Sequence, residues 1–411
     1  MLGMAAASPS ARPAPNTGPP AHSAANSAPA VATRPRNRRQ LILEAAGRVF
    51  SERGYHKASM EEVAAGVGIT AAALYRHFPN KYALFAECAH VMVDGLVAAL
   101  DEVPAEAPLA DVLAAVVRVT IAHRASGGVY RWEARYLDDE DRRGLGSKYS
   151  RLVERVDEAV RREQPLPDGR LRAVAALGTI GSITMHRTAI AQRRAERLLL
   201  TAALRVAATD PAAARPGARP VALPARPVPR TRRTEILAAA VPLFAREGFA
   251  NVTNGRIAQA VGLTPSALYR HYPGRIDILA AACLQAAGLL SQGVEQNLHG
   301  VTDPHEAIAV LTATYVAYGF EHTALNSVAE AELPGLPPDL RRPLLLAQRE
   351  HIALWQQQLR LARPELDPRQ ARVLVHAGFG VVVEAGRGLR WRDSPEHRAA
   401  VTALVMAALG L

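Results

Sequence analysis

Cysteine is nearly absent: only Cys88 and Cys283 occur in 411 residues. Two thiols build neither a disulfide framework nor the ligand set of a structural zinc site. A chain of this size then relies on its apolar core, and a reducing compartment fits it. Each cysteine is read as a small buried apolar side chain. Long apolar runs are also missing; Val373–Val383 falls short of a membrane span and contains His376. The N-terminus lacks an apolar signal core, so no membrane partner is expected and the location is read as cytoplasmic. Catalytic constellations are missing too. There is no nucleophile beside a base, no pair of acids in a loop and no phosphate-binding glycine loop. Glu330 and Glu332 before Pro334 come nearest, and on a helix they face opposite sides. The chain is therefore read as a non-enzyme that needs no cofactor and no metal. Finally, β-branched residues never alternate for long with polar ones, which excludes a sheet and leaves an all-α fold.

What is present is positive charge, duplication and helical periodicity. Net charge is +11 and the sequence pI is about 10.1, values common among nucleic-acid-binding domains. A compositional bias toward Ala, Arg and Pro is the plain alternative, since many arginines lie in the tail and in residues 210–230. Duplication is the stronger signal. Ile69–Lys81 recurs as Leu263–Arg275, and the alignment extends without a gap from Arg38/Arg232 to Leu84/Ile278. About 18 of about 48 aligned positions are identical, which marks a repeated module.

Each copy reads as three helices. Ile42, Leu43, Ala46, Val49 and Phe50 recur at helical spacing and Gly54 stops the run. Ser59 and Glu62 form a capping box for a short second helix. Gly66-Val67-Gly68 turns into a third, capped by Thr70; in the second copy Thr264 caps and Pro265 takes the first helical position. Tyr75, Arg76 and His77, or Tyr269, Arg270 and His271, then follow on consecutive residues, and Pro79 or Pro273 ends the helix. Lys81 and Arg275 open the next helix, where a cation suits the helix dipole poorly unless a phosphate meets it. Two short helices joined by a glycine turn constitute a helix-turn-helix, whose second helix enters the DNA major groove. The second copy departs at Asn254, Gly255 and Arg256, which replace Met60, Glu61 and Glu62 and remove the capping box; Pro242 also lies inside its first helix, Thr234–Arg246, where it is unfavourable unless the helix kinks. It is expected to read a different half-site or to bind more weakly, with Arg256 free to compensate on a phosphate.

The divisions along the chain follow composition. Residues 1–37 are a Pro- and Ala-rich tail with a basic end. Residues 38–85 form the first DNA-binding unit and 86–209 a helical regulatory domain. Residues 210–230 form a Pro- and Arg-rich linker, which spans about 60 Å at roughly 3.1 Å per residue. Residues 231–279 and 280–411 repeat the plan. Among the expected helices are Tyr82–Val103, Asp168–Ile190, Gln192–Ala208, Ile276–Leu298 and Asp367–Gly388.

The signature Thr-x-x-x-Leu-Tyr-x-His-Phe/Tyr-Pro-x-Lys/Arg, after a first helix ending Phe-x-x-x-Gly-Tyr/Phe, resembles the TetR family of bacterial transcriptional regulators. The resemblance covers residues 38–208 and again 231–411, as in regulators built from two fused TetR modules. It implies a three-helix DNA-binding head in each module, followed by a helical regulatory and dimerisation bundle. It implies phosphate contacts for Thr70, His77, Lys81, Thr264, His271 and Arg275, and backbone or thymine-methyl contacts for Tyr75 and Tyr269. Arg76 and Arg270 are candidates for reading guanine, and Ala72 and Ser266 for making the half-sites differ. Arg38, Arg39, Arg232 and Arg233 open the two heads as a basic approach to DNA. The alternatives are core aromatics for the tyrosines and a solvated charge for Arg76. The implied partners are a double-stranded operator and a small-molecule effector, acyl or lipid-like, with Arg131, Trp132 and Arg135 as pocket lining. Arg131 and Arg135 could instead pair with the acidic run Asp138–Asp141. The expected assembly is an intramolecular pseudo-dimer packing Asp168–Ala208 on Asp367–Leu411, on an asymmetric operator, with ligand-released repression of lipid-metabolism genes; a dimer of chains is the alternative. A nucleoid-associated binder using charge alone is the competing function.

Overall fold

The structure is a computed structural model that describes residues 38–125, 129, 136–213 and 221–411. Seventeen α-helices and no strand occur among the described residues. The first half comprises α1 (Arg38–Arg53), α2 (Met60–Gly66), α3 (Ala71–Tyr75), α4 (Lys81–Asp101), α5 (Leu109–Ala122), α6 (Asp139–Glu163), α7 (Gly169–Gly181) and α8 (Gln192–Ala208). The second comprises α9 (Arg232–Glu247), α10 (Asn254–Ala260), α11 (Pro265–Leu268), α12 (Arg275–Leu298), α13 (Pro304–Glu321) and α14 (Thr323–Glu332), then α15 (Pro338–Ala362), α16 (Pro368–Gly388) and α17 (Pro395–Leu409).

Each half begins with a three-helix head that has its own core. Ile42, Phe50, Val63, Leu74, Phe78 and Phe85 fill the first, and Ile236, Phe244, Ile257, Leu268 and Tyr272 fill the second. Cys88 and Cys283 are buried in these two cores, and burial raises both thiols, Cys283 to about 12. They act there as apolar packing. Both cysteines lie on α4 and α12, the long apolar helices that leave the heads. Those helices have the length and apolar content of a membrane span, and 50% and 44% of the relevant window is buried within the molecule. The apolar faces of α4 and α12 thus serve the protein's own core.

The two halves meet through α7 and α8 on one side and α16 and α17 on the other, which pack as a four-helix bundle. At the centre, α7 and α16 touch backbone to backbone. A Cβ on Gly178 would lie 2.5 Å from the Gly380 carbonyl oxygen, and one on Gly380 would lie 2.3 Å from that of Gly178. Around this crossing Ile180, Ile183 and Leu199 share one apolar core with Leu374, Phe379 and Val405. The fully buried Arg172 donates to the carbonyls of Ala207, Gln164 and Leu166 at 2.7–2.9 Å, so its charge ties α8 to the loop before α7.

The helix expected over Asp168–Ile190 is shorter than its periodicity suggests. It stops at Gly181, a 3-10 turn covers Ser182–Met185, and His186 is extended. Turning the chain there lays the His186 ring on the His376 ring of α16, 4.2 Å between centroids. In the described part of the linker, Ala222 exchanges hydrogen bonds with the Asn297 side chain on α12, at 3.1 and 2.9 Å.

Candidate nucleic-acid interface

In both heads the recognition helix is short, capped and aimed outward. Thr70 Oγ1 accepts from the Ala73 amide at 3.2 Å, and Thr264 Oγ1 from the Ala267 amide at 3.3 Å. The turn before each uses a glycine with positive φ, +65° at Gly68 and +67° at Gly262, a conformation that side chains disfavour. Leu74 and Leu268 point inward with 0% exposure and anchor the helix; Phe78 and Tyr272 close the core behind them. Tyr75 and Tyr269, by contrast, are 48% and 55% exposed. The core aromatics are therefore the residues three positions later. Arg76, Arg270, Ala72, Ser266, Thr70 and Thr264 are exposed on the same helices, and His77 and His271 are half-buried at their ends. Each head thus presents a hydroxyl, a phenol and a guanidinium along about one helical turn, a set suited to phosphates and base edges.

Other basic residues point elsewhere. Lys81 donates to the His56 carbonyl at 3.1 Å and lies 4.8 Å from the Tyr55 ring; burial lowers its pKa. Arg275 donates to the Val252 carbonyl and lies 4.4 Å from the Phe249 ring. These cations hold the loop between the first two helices of each head. Their unfavourable place at a helix start is thereby compensated by carbonyls and an aromatic face within the chain. Arg39 donates to the His77 carbonyl at 3.0 Å, pairs with Glu87 and covers the Phe78 ring at 4.3 Å. Arg233 repeats this, donating to the His271 carbonyl and covering Tyr272 at 4.0 Å. Arg39 and Arg233 clamp the end of the recognition helix to the first helix. Arg232 pairs with Glu235 at 2.7 Å, and Arg38 opens α1 half-buried.

The second helix of each head is held differently. The Ser59–Glu62 capping box forms, at 3.1 and 3.3 Å. Thr253 still caps α10 by accepting from the Arg256 amide at 3.2 Å, but Arg256 turns back to pair with Glu247 on α9. Arg256 is thus engaged within the head and not held out for a phosphate. Pro242 sits inside an uninterrupted α9.

The expected pocket lining Arg131, Trp132 and Arg135 lies outside the described residues. A large chamber does occur, in the second half. About 750 Å³ is lined mainly by α12, α13, α14, α15 and α16, and opens partly to solvent, a volume typical of small-molecule sites. Its polar interior includes Glu330, which accepts from Asn326 at 3.2 Å, and His351, which accepts from the Trp355 indole at 3.1 Å. Burial pushes Glu330 up to about 7 and His351 down to about 4. In the sequence Glu330 and Glu332 fall on opposite sides of one helix and so form no acid pair. Along the helix Glu330 follows Asn326 and Ser327, a polar row opposite the apolar face of Leu325, Val328 and Ala329, so the sequence carries no signal for its burial.

Comparison with known proteins places these heads. Residues 42–88 and 236–282 each match the family described as Bacterial regulatory proteins, tetR family. Among curated relatives, the nucleoid occlusion factor SlmA of Photorhabdus laumondii is 39% identical over 70 residues, 17% of this chain and 35% of that protein. The HTH-type transcriptional activator FasR of Mycolicibacterium smegmatis is 43% identical over 60 residues, 15% of this chain and 27% of that protein. The chain thus spans about a third of the length of the curated relatives it matches. A TetR-family transcriptional regulator of Bordetella parapertussis is 24% identical with a TM-score of 0.40, over 44% of this chain and 94% of that one.

Proposed function

Because the chain belongs to the tetR family of bacterial regulatory proteins and carries the family's matched segment twice, we propose that it is a transcriptional regulator that grips one DNA operator with two unlike heads. The single observation that carries this is the repeated outward face Tyr75-Arg76 and Tyr269-Arg270, half exposed on capped helices whose other side is buried. The α7/α8–α16/α17 bundle supports the reading of a pseudo-dimer within one chain, since it joins the two halves where a partner subunit would otherwise pack. Heads on such a frame meet successive major grooves about 34–36 Å apart. Ala72 against Ser266 makes the two half-sites unlike, and the protein works in the cytoplasm at the nucleoid. A ligand bound in the helical body releases the operator when it binds the DNA-free conformation more tightly, which makes repression the default output.

A nuclease footprint of the purified chain on the DNA flanking its own gene tests this. One protected stretch covering two non-identical half-sites, from one chain per operator by light scattering, is the expected result. A perfect inverted repeat occupied by two chains would overturn the pseudo-dimer, and equal protection of random DNA would favour a charge-driven binder with a steep salt slope. The similarity to a protein named as a nucleoid occlusion factor favours a second reading, occupancy of many dispersed sites, and genome-wide occupancy discriminates the two.

A further inference from the structure

The chamber in the second half has two unusual properties. First, it is acidic inside a basic protein. Four glutamates, Glu52, Glu295, Glu330 and Glu350, line it against two arginines, Arg187 and Arg341. The arginines are engaged at its edge: Arg187 lies 3.8 Å from Glu52, and Arg341 donates to the Pro334 carbonyl at 3.2 Å. Glu330 lines the chamber together with Tyr315 and Tyr318 of α13, and Arg387, whose charge favours the ionised Glu330, is 3.4 Å from Glu384. The walls are otherwise apolar, with Ala287, Leu290, Ile352 and Phe379 among them.

Second, the chamber does not belong to the second half alone. Phe50, Ser51 and Glu52 at the end of α1 in the first head, with Gly54 just after it, form part of its wall, as do Thr184–Arg187. Just beyond it, the corner after α14 touches both heads. Glu332 accepts from the Phe249 amide of the second head at 3.0 Å, and Lys57 of the first head donates to the Gly335 carbonyl.

We propose that this chamber binds one hydrophobic molecule carrying a cationic nitrogen, with Glu330 receiving the nitrogen, and that this single ligand acts on both heads. The inference rests on the regulator reading for its consequence, but not for the binding itself. Among the described residues that line the chamber no uncommitted arginine or lysine faces Glu330, so a carboxylate ligand would meet like charge there, whereas an ammonium group replaces the lost hydration of Glu330 by a charge-assisted hydrogen bond. The apolar remainder of the ligand covers Leu290 and Phe379. Filling the space beside Phe50–Gly54 pushes on the first head, and displacing α14 moves the corner that holds Phe249 and Lys57. A ligand site in one half thereby reports to the other half without a second site.

The test uses the full chain without DNA, so it stands apart from any failure of the footprint. Decylamine, decanol and decanoate are titrated calorimetrically at pH 7.5. The expected result is one decylamine per chain, bound more than tenfold tighter than decanoate. Glu330→Gln, nearly isosteric, should erase that preference while leaving decanol binding within about twofold. Ala287→Trp, which fills the chamber, should abolish all three. Amide exchange at Phe50–Gly54 should change on adding decylamine. Tighter binding of decanoate, or an amine preference that survives in Glu330→Gln, overturns the ligand class; unchanged exchange at Phe50–Gly54 overturns the shared control.

Discussion

In the first head Arg53 on α1 pairs with Glu62 on α2 at 3.2 Å. In the second head the equivalent positions carry Glu247 and Arg256, and the pair persists with its charges exchanged. The surrounding geometry is the same: the same threonine caps, the same left-handed glycines at 68 and 262, and the same arginine laid over a core ring from the first helix. The comparison teaches that the bridge fastening the first two helices recurs in both heads while its polarity does not. The exchange has a local consequence, because Glu62 serves both the bridge and the capping box, whereas Arg256 serves the bridge alone. The outward residues differ less than the fastening beneath them.

The most severe way to break the comparison is to part the halves. Gly380→Leu places a side chain where 2.3 Å separates Cβ from a backbone oxygen, and should cost about 3 kcal/mol or more in denaturant unfolding. Gly288→Ala on α12, with nothing within 4 Å, should instead be neutral or slightly stabilising. Next come the reading residues. Arg76→Ala and Arg270→Ala should each lose about 1–3 kcal/mol of discrimination at one half-site only, measured by titrating operators altered in one half. Equal losses at both half-sites would deny the heads separate roles.

The pH dependence is smaller and of opposite sign at two places. Glu330, raised by burial to about 7 against an ordinary 4.5, keeps a proton in the folded chain that the unfolded chain has released. Stability therefore falls as pH rises across that interval, by something on the order of 2 kcal/mol, and Glu330→Gln should flatten the slope. His186 and His376 are lowered by burial to about 2 and about 3, with Arg124 and Arg372 adding to it. The unfolded chain takes up their protons first, so their contribution is complete above about pH 6.5 and is lost as pH falls below it. His376→Gln should reduce that acid sensitivity in melts between pH 7 and 5. The smallest effect belongs to the exchanged bridge. Arg256→Glu with Glu247→Arg should restore the bridge in the polarity of the first head and add a capping box with Thr253, a gain of about 0.5–1 kcal/mol.

The heads were readable from sequence because their signals are local: a threonine cap, a glycine turn, an apolar anchor and a stop, each seen twice. The same holds for the helices after them, whose periodicity is set by one buried face. What escaped was tertiary. Lys81 and Arg275 read as phosphate ligands, and nothing local in the sequence places the Tyr55 and Phe249 rings beneath them. Nothing within Asp168–Ile190 announces that His186 will leave the helix to meet a histidine 190 positions later. Glu330 appeared idle because the residues that enclose it come from five helices and from the opposite head.

The crossing of Gly178 over Gly380 has a consequence for how such a protein changes over generations. In an assembly of two identical subunits every substitution arrives on both sides of the axis at once, so the contact and both readers must tolerate it together. Here the two sides are encoded separately. One head can drift toward a new sequence while its twin keeps the old one, and dilution never separates them.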